Sequence, residues 1–450
     1  MPDSQTGLQD RQERSLVEQG VLAIELGLAF VCLVLFSEGL LPRLFAHEHD
    51  PESSAFLRLL WLPVYVLVLA GCASRIVTLF AAAVRLPFLI ALLALAAASF
   101  TWSLDPAVTE RRAVAVIATT LAGLYLAARY DWRTLLRLLG AVWLFMAIVS
   151  LVAGLVAPGF AIMTEVHPGA WRGLWWEKNS LGGHMARAGF LCAFLLVLDR
   201  PWRLIWGVAV LLCTALVLLS SSKTALLGLL VGFGVLVAGA WSRRGVVTTL
   251  SGLWVGVMLI SGFAALLVFA PELVFGLLGR DATLTGRTDI WAALIDAIGD
   301  RPLLGYGYGA FWQLDSMPAY RVRAATEWLV PTAHNGWLET ALAVGLVGLC
   351  LLLASFILFV ARAAWLAIHN WLGVFALGVT AQFLLFSLSE SIALQQNTIV
   401  WVTYVAVAAK TALSLRQPVH APTGSAPRPF PAAAELQRRR VSGVRPMRVH

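Results

Sequence analysis

"AHNGWLETALAVGLVGLCLLLASFILFVAR", residues 333–362, decides the fold class. From Thr340 to Ala361 it carries no charge. An α-helix rises about 1.5 Å per residue, so about 20 apolar residues cross the ~30 Å hydrocarbon core of a bilayer. Similar runs fill most of the 450-residue chain, which is 59% hydrophobic and only 13% charged. Soluble domains are about 45–50% apolar and about 25% charged. The runs lack the short alternating pattern of a membrane barrel. Lipid cannot satisfy an open backbone, so the fold class is an all-α, polytopic membrane helical bundle.

Outward from this stretch, the same reading gives about twelve spans. They lie near 20–41, 56–73, 84–101, 110–128, 134–157, 181–199, 202–220, 223–241, 247–270, 336–362, 370–388 and 395–413. The run at 76–83 is too short to cross and reads as interfacial. The domain organisation is thus a segment 1–19, a transmembrane domain 20–413 and a basic tail 414–450. The tail is rich in Pro, Ala and Arg and is expected to be disordered. No cleavable leader is expected, because the first apolar run follows a polar stretch and lacks an A-x-A-type exit.

Charge sets the orientation. With the N-terminus cytoplasmic, the inside loops carry Arg75 and Arg85, Arg129 and Arg133 and Arg137, Arg200 and Arg203, Arg243 and Arg244, and Arg362. Each is basic, as the positive-inside rule requires, and both termini are expected in the cytoplasm. The net charge of +8 sits largely in such loops and in the tail, which suits anionic lipid and not nucleic acid. The five cysteines, Cys32, Cys72, Cys192, Cys213 and Cys350, fall inside apolar runs with no CxxC pair. They read as small core residues.

The opposite loops also hold cations: Arg111, Arg112, Arg172, Lys178, Arg187, Lys223, Arg280, Arg287, Arg301, Arg321 and Arg323. Topology does not require them there. One of these loops, 271–335, is long enough to cap the bundle.

Four stretches gather polar chemistry on that side. In "WRGLWWEKNSLGGH", 171–184, Trp171 and Trp176 suit an interfacial belt, whereas Arg172, Lys178 and Asn179 offer donors to an anion. In "SSSKTALLG", 220–228, serines and Lys223 at a helix start suit either an anion or a plain cap with a snorkelling lysine. In "TLTGRTDIWAALIDAIGDRP", 283–302, Ile290, Trp291, Leu294, Ile295 and Ile298 recur at helical spacing. Thr285 or Thr288 can cap that helix, and Gly299 with Pro302 ends it. Arg287 in its first turn opposes the macrodipole unless an anion binds between them. In "TAHNGWLET", 332–340, His334 can serve as a base or as a hydrogen-bonding cap, and Glu339 lies within a turn of Asn335. "GYGYGAFW", 305–312, lacks the Gly-Lys-Ser/Thr of a P-loop. No HExxH, DxD, Cys cluster or GxSxG elbow is present, so no metal site or cofactor is expected. Cations and a histidine near lipid depth suit an anionic lipid headgroup with a proton to be removed beside it.

"WSLDP" at 102–106 with Arg111 and Arg112, "WRGLWWEKNSLG" at 171–182, "SSSKTALL" at 220–227, "GRTDIW" at 286–291 and "AHNGWLETALAVGLVG" at 333–348 occur in this order. In these pieces and their topology the chain resembles the O-antigen ligase and lipid-linked-glycan polymerase superfamily, including exopolysaccharide polymerases. The resemblance covers most of the bundle. It implies a GT-C-like architecture with one large periplasmic loop in the bacterial inner membrane. It implies transfer of glycan from undecaprenyl pyrophosphate at the periplasmic face, with inversion and without metal. The acceptor is another repeat unit for a polymerase and lipid A-core for a ligase; the polymerase is favoured here. By position, Arg287 matches the family's loop arginine and His334 its histidine. Lys178-Asn179 matches its Lys-Asn, and either Arg111 or Arg112 a further arginine. Lys223 stands where many members have arginine, which turns a bidentate phosphate contact into a point charge. The expected site is therefore His334 as base, with Arg287, Arg172, Lys178, Asn179, Lys223 and Arg111 toward pyrophosphate. The rival is a transporter of lipid-linked glycans. It predicts polar groups in mid-span and two-fold internal symmetry, whereas the charges here sit mostly at span ends.

Overall fold

The computed structural model describes residues 3–46, 54–245, 247–248, 287–327 and 329–415, and the side chains of all of these except 3–17, 287 and 288. The described residues form helices, with no strand beyond an isolated bridge between Ile162 and Trp171. In order these are α1 (Asp3–Phe36), α2 (Leu40–Phe45), α3 (Ala55–Ala73), α4 (Ile76–Arg85), α5 (Pro87–Ala98), α6 (Pro106–Arg129), α7 (Trp132–Val156), α8 (Pro158–Ala161) and α9 (Lys178–Leu198). There follow α10 (Arg203–Leu219), α11 (Lys223–Ser242), α12 (Arg287–Asp300), α13 (Met317–Thr326), α14 (Gly336–His369), α15 (Trp371–Ser387) and α16 (Ile399–Ser414). Among the described residues eight helices are long and apolar enough to cross a membrane, or nine if α4 and α5 make one bent span. The shorter α15 and α16 are also apolar. All but the first two residues of the expected span 247–270 lie outside the described residues, as do residues 271–286 of the loop and the tail from 416.

Local chemistry sets the boundaries. Asp105, Asp131, Ser222, Asn335 and Asn370 each cap the helix that follows, accepting a backbone N–H from its first turn. The expected first span, 20–41, ends earlier: the chain leaves α1 at Phe36, turns through Glu38 at φ +53°, and restarts as α2. The expected third span, 84–101, starts at Pro87. A residue before proline is pushed out of the α region, and Leu86 breaks the helix there at ψ 51°. α4 therefore lies at 97° to the segment Pro87–Thr101.

α9 is the most buried of the crossing helices. It packs on α7, α10, α11 and α15. Small residues allow this: a Cβ on Gly182 would lie 2.7 Å from the Ala225 Cβ of α11. Below, Phe190 stacks on Phe375 of α15 at 5.4 Å, and Phe383, Trp401 and Tyr404 continue the aromatic core. Cys72, Cys192 and Cys213 are buried as expected, but Cys350 is exposed on α14.

α14 is broken at Val344 and Gly345, where Gly345 has φ +70°. The apolar run read as one continuous span conceals this. The break frees main-chain groups, and residues 302–307 occupy it. Tyr306 N–H donates to Leu342 O (2.8 Å), Gly307 N–H to Ala343 O (3.0 Å), Leu346 N–H to Pro302 O (2.7 Å) and Val347 N–H to Leu303 O (3.3 Å). A Cβ on Gly345 would lie 2.0 Å from Leu303 O, so only glycine fits. "WSLDP" holds this loop from its other side, with Trp102 Nε1 donating to Leu304 O and Leu104 N–H to Tyr306 O.

α12 and α13 form a cap with its own apolar core of Ile290, Leu294, Ala297, Tyr306, Phe311, Ala319, Val322, Val330, Ala333 and Leu342. Thr288 lies inside α12, and Thr285 lies outside the described residues. Ile295, read as part of the apolar stripe, is 61% exposed. The end of the bundle bearing the cap is the cap end; the other is the far end.

Candidate functional site

His334 occupies the turn that starts α14, at φ +46°. Left-handed backbone is uncommon outside glycine and needs support from its surroundings. Glu339, one turn into α14, gives it. One Glu339 oxygen accepts Ala333 N–H (2.7 Å) and the Ser391 hydroxyl (3.2 Å); the other accepts Trp312 Nε1–H (2.8 Å). Trp291 of α12 donates from Nε1 to Ala333 O (3.0 Å). Asn335 Oδ1 takes the N–H groups of Trp337 and Leu338. The turn is thus fixed from the cap, from its own helix and from the connector 388–398.

That connector brings Glu390. Its Oε2 lies 3.7 Å from His334 Nδ1, with the two side chains 29% and 13% exposed. Both imidazole nitrogens are shielded from solvent. Glu390 also interacts electrostatically with Arg187 of α9, whose guanidinium lies over the Phe386 ring at 4.1 Å. α15 and α16 stop short of a full span, and their connector is irregular and, apart from Leu388, buried or half-buried. Such backbone is tolerated at membrane depth only inside protein or along a cavity. The cluster is therefore recessed below the cap.

A second group gathers where α9 and α11 begin side by side. Lys178 and Lys223 are the first residues of these helices. Ser222 Oγ donates to Asn179 Oδ1 (2.9 Å), tying the two starts together. The macrodipoles and open N–H groups of both helices favour an anion here. Lys223 is exposed and Lys178 half-buried. The loop with Arg172 joins the same corner, since Trp171 N–H donates to Leu219 O, the last residue of α10. Phe386 links the two groups, lying against the positions of Gly183 and Gly228.

Other expected residues fare differently. Arg172 is half-buried and directs Nε to Phe160 O (3.1 Å), so part of its guanidinium is a tether. Arg111 is exposed on the first turns of α6, whereas Arg112 turns inward and donates to Gly309 O (2.6 Å). The Arg287 side chain lies outside the described residues. Arg323 donates to Trp312 O, Gln313 O and Val330 O, which makes it a brace of the cap. Burial lowers its pKa below the usual arginine range. Of the tryptophans, Trp175 is buried, donates to Ser37 O and stacks on His184 at 4.7 Å. Trp171 fills the space beside Gly154. Among the described residues no three His, Cys, Asp or Glu gather closely enough to hold a metal ion.

The sequence reading counted Arg187 among the loop cations, whereas it lies inside α9 and joins this cluster; Glu390 and the clamp by Glu339 it missed. Arg187 had a usable signal: it is a charge on the second turn of an otherwise apolar span, where ionisable residues are expensive and usually functional.

Residues 208–353 match the O-antigen ligase family profile. The exopolysaccharide production protein ExoQ of Rhizobium meliloti (strain 1021) is 28% identical over 318 residues, which cover 65% of this chain and 67% of that protein. Both findings support the expected relationship to the O-antigen ligase superfamily, and the profile match spans Lys223, Arg287, His334 and the break in α14 at Val344 and Gly345.

Proposed function

We propose that this chain is a glycosyltransferase that polymerises undecaprenyl-pyrophosphate-linked glycan at the periplasmic face of the bacterial inner membrane. The observation that carries the reading is the recessed pairing of His334 and Glu390 beside the lysine-bearing starts of α9 and α11. A pyrophosphate needs stabilisation of the charge that develops as it leaves, and preorganised cations in a partly dry site supply it. Lys178, Asn179 and Lys223 take this part, with Arg187 below them and Arg172, Arg287 and Arg111 around the rim. The acceptor hydroxyl oxygen attacks the anomeric carbon from the opposite side, the bond to phosphate breaks, and its electron pair leaves on the pyrophosphate. His334 accepts the hydroxyl proton. The configuration inverts, and no metal takes part. Because both ring nitrogens are shielded, the acceptor reaches His334 only when the turn at 332–335 shifts.

The relative is named for exopolysaccharide production, which fits a polymerase, and the O-antigen ligase profile keeps a ligase, with lipid A-core as its proposed acceptor, as the second reading. Purified protein in lipid vesicles, given lipid-linked repeat unit with and without chelator, should yield longer glycan in both. His334→Ala and Arg287→Ala should each lower the rate by at least about 100-fold. Full activity in both variants would refute this site. Product formed only when lipid A-core is supplied would replace polymerase by ligase.

A further inference from the structure

Two carboxylates flank His334, and their surroundings separate their roles. Glu339 has both oxygens engaged by donors from Ala333, Ser391 and Trp312, so it holds the backbone of the turn. Glu390 reaches the ring itself, 3.7 Å from Nδ1. We propose that Glu390 is a positioning residue that accepts the Nδ1–H of His334, thereby fixing the tautomer that leaves Nε2 as the proton acceptor. This rests on the reading of His334 as base.

The chemistry follows from the two nitrogens. A neutral imidazole has one donor and one acceptor, and the partner of one decides the role of the other. A carboxylate at Nδ1 can only accept, so the proton belongs there and the lone pair at Nε2. The separation exceeds hydrogen-bond length by a few tenths of an ångström. Catalytic contacts commonly tighten once substrate is in place. When the acceptor hydroxyl gives its proton to Nε2, the ring becomes a cation bearing N–H at both nitrogens. Glu390 stabilises that cation without taking the proton. Charged groups around the ring among the described residues include Glu390 from the connector, Glu339 from α14 and, through Glu390, Arg187 from α9. α12 meets the turn through Trp291. The connector is held in place for this role: Tyr308 OH donates to Leu394 O and lies 2.7 Å from Gln396 Oε1, and Tyr65 OH donates to Asn397 Oδ1.

The test is the initial transfer rate of wild type, Glu390→Gln, Glu390→Asp and His334→Ala in vesicles, with lipid-linked repeat unit as donor, together with the nitrogen-15 NMR tautomer signature of His334 in wild type and Glu390→Leu. Loss of the negative charge in Glu390→Gln removes the stabilisation of the imidazolium formed during transfer, so kcat should fall about tenfold or more. KM for the donor should stay unchanged, and Glu390→Asp should restore part of kcat. Wild type should show the proton at Nδ1, and Glu390→Leu, which offers no acceptor there, should lose that preference. A fall in kcat with the same tautomer signature in wild type and Glu390→Leu would make Glu390 a structural residue and overturn the proposal. Wild-type kcat in Glu390→Gln, with His334→Ala inactive, would overturn it too while leaving the function reading intact. Full activity in His334→Ala would overturn both.

Discussion

At the far end, Arg129 gives Nε and Nη2 to the two oxygens of Glu25, at 2.6 and 2.7 Å, and Tyr125 OH adds a third donor at 2.5 Å. Arg137 does the same to the buried Asp199, with Trp206 Nε1 completing the set at 3.1 Å. Lys410 closes on the carbonyls of Ala127 and Tyr130. At the cap end, His334 and Glu390 stand 3.7 Å apart, Arg187 rests on a ring, and Lys223 points outward. Both ends bury charge. At the far end the geometry is bidentate and joins one helix to another, as a fastening does. At the cap end the charges converge on a recess. The lesson is that placement alone does not mark a functional cation; how completely its partners are supplied does.

Three changes test the contrast. The largest effect is expected from Arg187→Gln, which should lower transfer by about 100-fold while the melting temperature changes by less than about 3 °C. A large drop in melting temperature with normal turnover would make Arg187 another fastening. Asp199→Ala should do the reverse. Breaking a buried pair costs about 3–5 kcal/mol, and the partial exposure of Arg137 reduces this to about 2 kcal/mol, read from denaturant unfolding. Transfer per folded molecule should be unchanged. Lys223→Ala should raise the donor KM about tenfold, and Lys223→Arg should lower it below wild type by restoring a bidentate phosphate contact. Equal KM in all three would remove Lys223 from the site.

The smallest effect is one of pH. The hydrogen bonds from Arg137 hold the Asp199 carboxyl below the usual carboxylate range, with Trp206 adding to the shift. A group whose folded pKa is depressed contributes stability above its unfolded value of about 3.9, and loses it as pH falls through the folded value. The stability gap between wild type and Asp199→Asn should therefore hold from neutral pH to about 4 and close only below it. A gap that closes near neutrality would mean that another group controls it.

What the sequence showed was local. The apolar runs placed most of the helices, and the serines before Lys223 were legible as a cap, because a span and a cap are each decided within a few residues; the caps at Asp105, Asp131 and Asn335 emerged only in the structure. Lys223 was legible as a cation at a helix start, and Lys178 and Asn179 as donors in the loop before one; that both belong to adjoining helix starts was not. The Arg187–Glu390–His334 arrangement joins three distant segments, and no pattern within any one of them encodes it. "ALAVGLVG" looks like uninterrupted helix, since Val and Gly are at home in a membrane span. Its break exists only because the distant 302–307 backbone fills it. The roles of Arg112 and Arg323 were hidden for the same reason: their partners are carbonyls, which every residue has.

The filled break in α14 has a consequence for how the protein is made. Four main-chain groups at the break in this span are bonded to residues 302, 303, 306 and 307. In hydrocarbon each would otherwise cost several kcal/mol. During synthesis the 302–307 segment emerges before α14 and must already lie on the cap side when α14 enters the bilayer. The span and the cap are therefore one unit of assembly. A truncated bundle without its cap would leave polar backbone facing lipid, and the quality control of the cell would meet it as an unfinished helix.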